Sequence, residues 1–111
     1  MPVLNQRLGE LAERLELEQA DVARVMGTNP KTVSRWLQER AEPRRATRER
    51  LLEFIAVLEQ LSATLHPAVA HDWLFTPNPL LGHDKPADLI RDGQYRRVLG
   101  AIDALAEGVF L

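Results

Sequence analysis

Leu17-Glu18-Gln19-Ala20-Asp21-Val22-Ala23-Arg24-Val25-Met26-Gly27-Thr28-Asn29-Pro30-Lys31-Thr32-Val33-Ser34-Arg35-Trp36-Leu37 is the stretch that decides how this chain folds. Apolar residues recur in it at helical spacing on both sides of one glycine. Residues 18–26 predict a short helix with Ala20, Ala23 and Met26 or Val22 turned inward. Gly27 ends it, because glycine takes the left-handed cap conformation without a Cβ clash. Asn29 predicts an N-cap, followed by Pro30 at the first helical position, where no amide donor is needed. That helix runs to about Glu39, and Arg40-Ala41-Glu42-Pro43 breaks it. On a wheel of about 100° per residue, Val33, Trp36 and Leu37 share one side, and Lys31, Ser34, Arg35 and Gln38 share the other. The first set is expected in the core. The second offers a cation, a hydroxyl, a guanidinium and an amide, donors suited to phosphates and base edges. Arg35 has the fork for a bidentate contact to guanine, while Lys31 suits a phosphate. Thr32 and Asn29 read either as contacts or as local caps.

Charge sharpens this reading. The formal net charge is −2, which taken whole argues against a nucleic-acid partner. Its distribution argues the other way. Residues 29–50 carry Lys31, Arg35, Arg40, Arg44, Arg45, Arg48 and Arg50 against only Glu39, Glu42 and Glu49. Both flanking segments are net acidic. Cations gathered into one short segment are the footprint that DNA requires. Arg40, Arg44, Arg45 and Arg48 are placed to grip flanking backbone, or to pair with Glu42 and Glu49.

The same string resembles the Xre-type helix-turn-helix of Cro-like repressors. In that pattern Gln19 opens the first helix, Ala23 is small so that the helices approach, and Gly27 makes the turn. Thr32-Val33-Ser34-Arg35-Trp36 then lies in the recognition helix. The expected DNA contacts are Gln19, Lys31, Thr32, Ser34, Arg35, Gln38, Arg44 and Arg45.

Outward from this core the chain continues as helix. Leu4, Leu8, Leu11 and Leu15 predict an amphipathic helix over residues 3–15. A long helix fits residues 44–65, with Leu51, Phe54, Ile55, Leu58, Leu61 and Leu65 as one stripe and Leu52 and Val57 outside it. A helix apolar on more than one side is usually packed on more than one side. Pro67 opens a short helix through His71 and Trp73. Thr76-Pro77-Asn78-Pro79-Leu80-Leu81-Gly82 is excluded from regular helix by its prolines and glycine. Short helices fit residues 86–91, stopped by Gly93, and 94–106. The last places Tyr95, Val98, Leu99, Ile102, Leu105 and Ala106 on one face, and Gly108 ends it. No strand-like alternation occurs. The expected class is all-α, an N-terminal helix-turn-helix joined by a long central helix to a small helical domain. The expected divisions are residues 1–43, 44–65 and 66–111.

The C-terminal part carries a second resemblance. Trp73-Leu74, Pro77-Asn78-Pro79-Leu80-Leu81-Gly82, Lys85-Pro86-Ala87-Asp88-Leu89-Ile90, Gly93, Arg97-Val98-Leu99 and Glu107-Gly108-Val109-Phe110 stand in that order. This looks like the toxin-binding domain of the Xre/MbcA/ParS antitoxin family. With the helix-turn-helix in front, the resemblance spans almost the whole chain. It implies a partner toxin with a RES domain that destroys NAD. It also implies that the antitoxin covers the toxin's active site and represses their shared operon as a homodimer within a 2:2 or larger complex. The expected toxin contacts are Trp73, Asn78, Pro79, Leu80, Leu81, Val109, Phe110 and Leu111. Read without the family, Trp73, Phe75 and Phe110 are candidates for the chain's own core, Trp73 more so than Phe110, and the apolar tail 109–111 must be covered by this domain or by a partner.

Other chemistries are disfavoured. The 111 residues contain no cysteine, so no disulfide and no cysteine-based zinc site is available. His66 and His71 are five apart and turn to different helix faces, and His83 does not complete a tetrahedral set, so no metal is expected. There is no phosphate loop and no nucleophile with a base, so neither catalysis nor a cofactor is expected. The N-terminus does not read as a signal peptide. The longest apolar run, Phe54-Ile55-Ala56-Val57-Leu58, is far short of the roughly 20 residues of a membrane span. A cytoplasmic protein is expected. Two rivals stand beside the antitoxin reading. One is a stand-alone transcriptional regulator whose C-terminal half dimerises or senses a ligand. The other is an adaptor with a vestigial helix-turn-helix.

Overall fold

Leu4, Leu8, Leu11 and Leu15 lie three or four residues apart, and all four are buried along α1, Pro2–Arg14, and its immediate end. The computed structural model describes residues 2–108. Among them are six further helices: α2 (Gln19–Met26), α3 (Pro30–Leu37), α4 (Arg45–Thr64), α5 (Pro67–Leu74), α6 (Pro86–Arg91) and α7 (Tyr95–Ala106). A single 3-10 turn covers Pro79–Leu81, and the described residues contain no strand. The all-α class expected from periodicity is the one found.

Prolines set the starts. Pro30, Pro67, Pro79 and Pro86 each stand in the first turn of a helical segment, where a missing amide costs no hydrogen bond. Glycines set two of the joints. Gly27 adopts φ 70° at the end of α2, and the Thr28 amide behind it donates to the Ala23 carbonyl at 2.9 Å. Gly93, φ 85°, joins α6 to α7 under the Arg50 guanidinium, which lies 2.7 Å from where a Cβ would stand. Left-handed backbone costs a non-glycine residue about 1–2 kcal/mol. Gly93→Ala is therefore expected to destabilise the chain by about that amount and to displace Arg50 from the joint. A chemical denaturation midpoint matching the parent would contradict this.

The central helix α4 explains how the rest is arranged. Leu51, Phe54, Ile55, Val57, Leu58 and Leu61 are all buried along it. Val57, outside the single stripe, is buried because α1 packs on one flank of α4 and α7 on another. Leu52, also outside it, stays 51% exposed, and Leu65 is half-buried. On α2 the inward face is Val22, Ala23 and Val25, with Met26 half-buried, while Ala20 faces solvent. Ala20 was expected inward. It lies about 200° from Val22 on the wheel, away from the neighbours that α2 meets. On α7 Val98, Ala101 and Ile102 are buried, whereas Leu105 is half-buried and Ala106 exposed, because the helix end extends past the core.

The six residues of α6 bury Pro86, Ala87, Leu89 and Ile90, and this short helix sits among α2, α4, α5 and α7. One apolar core therefore runs from Leu4 to Ile102 without interruption. The radius of gyration is 13.4 Å. A single compact body of this length has about 13 Å, so the N- and C-terminal halves are not separate lobes.

Candidate interaction surfaces

The α3 face is built by its cap and its core side. Asn29 Oδ1 accepts from the Thr32 amide at 2.8 Å, which assigns the Asn29 side chain to capping. Val33 and Trp36 are buried and Leu37 is half-buried, so the helix can present only its other side. On that side Lys31, Arg35 and Gln38 are exposed, and Ser34 is half-buried with its Oγ accepting from Gln38 Nε2 at 3.3 Å. Thr32 is half-buried. Beside the face an open cleft of about 610 Å³ separates the α2–α3 joint from the start of α4. Thr28, Thr32, Arg35, Glu42, Arg44 and Thr47 contribute its polar lining.

Arg44 is the N-cap residue of α4 and is exposed. Arg45 pairs with Glu49 at 3.7 Å, but both side chains are largely in solvent, where such a pair contributes about 0–1 kcal/mol. Gln19, the first residue of α2, is exposed as well. Gln19, Lys31, Arg35, Gln38, Arg44 and Arg45 are thus all exposed, with Thr32 and Ser34 half-buried among them and Glu39 and Glu42 exposed in the same span.

The second expected surface is more mixed. Asn78 ties the 78–84 loop shut. Its Oδ1 accepts from the Leu80 amide at 2.9 Å, its carbonyl accepts from the Leu81 and His83 amides, and its own amide donates to the Asp84 carbonyl. From α7, Arg97 donates to the Leu81 carbonyl at 3.4 Å and to Gln94 Oε1 at 2.9 Å. The loop is therefore preformed. Pro79 is exposed, Leu80 is half-buried against the core, and Leu81 is buried at 2% exposure. Trp73 is also half-buried against the core, so part of its indole faces outward. Val69, one turn earlier on α5, is 49% exposed. Sequence reading passed over Val69, although its spacing of four from Trp73 puts both on one face of α5. Val109, Phe110 and Leu111 lie outside the described residues.

The two surfaces are joined by polar contacts that periodicity does not reveal. His71 Nε2 on α5 lies 3.1 Å from Asp21 Oδ1 on α2. The Arg24 guanidinium sits over the Phe75 ring at 4.2 Å from its centroid. Hydrogen bonding to Asp72, and then to Asp21, holds the His71 imidazolium above its ordinary range, against the opposing effect of burial. Among the described residues no group of three metal-ligating side chains converges, and no helix is long and apolar enough to cross a membrane.

Comparison with known proteins gives matches of three kinds, to a family profile, to curated relatives and to a solved structure. The profile described as the antitoxin Xre/MbcA/ParS C-terminal toxin-binding domain matches residues 56–108. The mycobacterial cidal antitoxin MbcA of Mycobacterium tuberculosis is 43% identical over 109 residues, covering 98% of this chain and 96% of that protein. A probable mycobacterial cidal antitoxin of the same organism is 30% identical over 93 residues, 84% of this chain and 79% of that one. Among solved structures, a chain from the crystal structure of the M. tuberculosis MbcT–MbcA toxin–antitoxin complex superposes with a TM-score of 0.88 at 42% identity. Coverage is 100% of both chains.

Proposed function

The chain belongs to the Xre/MbcA/ParS antitoxin family, and on that footing we propose that it neutralises a cognate RES-domain toxin and represses their operon. The observation that carries the proposal is the end-to-end likeness to a chain crystallised in a toxin–antitoxin complex. The toxin degrades NAD, and the antitoxin acts without catalysis, by covering the toxin's active site. The toxin-facing surface is Trp73 and the Asn78-Pro79-Leu80-Leu81 turn together with the tail Val109, Phe110 and Leu111. Within it Trp73, Pro79 and Leu80 supply contact, and Asn78 and the buried Leu81 hold the turn in shape. A preformed loop loses little ordering entropy on docking, which favours tight binding.

DNA binding is the second activity. The α2–α3 pair is a helix-turn-helix, with α3 in the major groove through Lys31, Thr32, Ser34, Arg35 and Gln38. Gln19, Arg44 and Arg45 hold the flanking phosphates. One such unit covers a short half-site, so repression needs two copies reading half-sites about one DNA turn apart. The working form is a homodimer within a 2:2 or larger complex, in the cytoplasm.

Co-expression of the chain with the RES-domain protein of its own operon tests the first activity. The two are expected to co-purify, and cellular NAD is expected to stay at its normal level. A chain that dimerises and binds DNA but never retains that protein would instead be a stand-alone regulator. Removing residues 109–111 is expected to restore toxin activity while leaving the melting temperature within about 4 °C, the shift that about 1 kcal/mol produces in a chain of this size. A truncated chain that stays folded and still silences the toxin would take the tail out of the inhibitory contact.

A further inference from the structure

We propose that Asp21 and Arg24 of α2, with His71 of α5 and Phe75 at the C-cap of that helix, form a clamp through which the C-terminal half orients α2–α3 on DNA. The proposal rests on the DNA-binding reading above. It makes these four positioning residues rather than DNA contacts.

The geometry places the clamp where orientation is decided. Asp21 acts in two directions at once. Its Oδ2 accepts from the Glu18 amide at 2.8 Å, closing the first turn of α2, while its Oδ1 meets His71 at 3.1 Å. Gln19, the proposed phosphate contact, belongs to that same turn. Arg24 lies on the last turn of α2, over Phe75, and the Phe75 and His71 rings lie 5.1 Å apart at 49°. At the far end of α2, the Arg91 stem from α6 lies 3.7 Å from where a Gly27 Cβ would stand. Both ends of α2 are thus gripped by the C-terminal half. Docking two recognition helices one DNA turn apart makes affinity depend on this angle.

These contacts are at the rim, not in the core. The His71 side chain is 41% exposed and that of Asp21 13%. Val22, Ala23 and Val25 already hold α2 to the core, so loss of the clamp should alter orientation more than stability.

The charged groups around His71 set the sign of its pH dependence. Asp21 and Arg24 face it from α2, and Asp72 at 3.3 Å from its own helix. From α6, Asp88 and Arg91 pair with each other at 3.8 Å. The adjoining end of α4, residues 60–64, carries no charge. Asp72 and Asp21 hold the imidazolium above its ordinary range. The charged bridge is therefore complete below about pH 6.5, the ordinary histidine value, and is lost as pH rises through the higher folded value.

The test uses the full chain and duplex DNA spanning the promoter of its own operon, at constant salt. At about pH 6 His71→Gln is expected to bind roughly 3- to 10-fold more weakly than the parent. At about pH 8 the two should converge, so the variant's profile is the flatter. Asp21→Asn combined with His71→Gln should be non-additive in operator affinity. Phe75→Leu, which keeps apolar volume but removes the ring, should also weaken binding. Melting temperatures should stay close to the parent's. If His71→Gln does not fold, Phe75→Leu and the Asp21→Asn profile carry the test. A parental pH profile in a folded His71→Gln, or affinity losses that only track melting temperature, would overturn the clamp. If the parent itself fails to bind the duplex, the DNA-binding reading falls and the clamp falls with it.

Discussion

A chain ending at Leu65 is expected to lose its cooperative fold and, with it, operator binding. Helices α1 to α4 would seem to make a complete small bundle, but their apolar faces are not closed among themselves. Ala70, Leu74, Leu81, Ala87, Leu89, Ile90, Val98, Ala101 and Ile102 of the C-terminal half belong to the same core as Val22, Val25 and Phe54. Burying one Leu, Ile, Val or Phe side chain contributes about 1.5–3 kcal/mol. Whole domains of this size are stable by only about 5–15 kcal/mol. Losing the six such side chains of the C-terminal half, Leu74, Leu81, Leu89, Ile90, Val98 and Ile102, removes about 9–18 kcal/mol of burial, as much as that whole margin, before the uncovered faces of α2 and α4 are counted. Far-UV circular dichroism and thermal melting of residues 1–65 beside the whole chain check this. A sharp melt of the fragment, with operator affinity preserved, would show that the halves are separable.

Arg35→Ala carries the second large effect, on DNA rather than on folding. The side chain is exposed on α3, opposite the buried Val33 and Trp36, so the fold should be unaffected. If its guanidinium reads a base, the substitution should weaken operator binding by about 1–3 kcal/mol and relax the preference at one position. Lys31→Ala, in the first turn of α3, should behave differently. A phosphate contact contributes to every sequence alike, so its loss should weaken specific and non-specific duplexes together and lower the salt slope by about 1. Competition binding with operator and scrambled duplexes separates the two behaviours. Unchanged operator affinity for Arg35→Ala would remove Arg35 from the interface.

Much of this architecture was legible in residue order because the signals are local. Gly27, Asn29 and Pro30 mark a helix end, a cap and a helix start within four positions, and the structure places each in that role. The polar and apolar sides of α3 follow from wheel geometry, which needs no knowledge of neighbours. What residue order leaves open is which face meets which partner. Ala20, expected inward, is exposed, and Val25, which that reading left out, is buried, because burial on α2 is set by α3, α4 and α6, and α6 arrives more than sixty residues later. Leu81 was expected as a toxin contact in a proline-rich loop, yet the 3-10 turn capped by Asn78 rotates its side chain into the core. The Asp21–His71 contact joins residues fifty apart, where helical periodicity carries no information. On α5, Val69 and Trp73 show one further limit: an exposed apolar face is recognised only once its helix is seen to leave it uncovered.

Direct binding is the proposed means by which this chain inhibits a toxin. The most direct measurement is NAD consumption by the purified RES-domain protein of the same operon, titrated with the purified full-length chain. Activity is expected to fall linearly to a sharp end point at a fixed molar ratio, with a complex of that ratio eluting on size exclusion. Undiminished NAD consumption at molar excess, with the two proteins eluting separately, would contradict it.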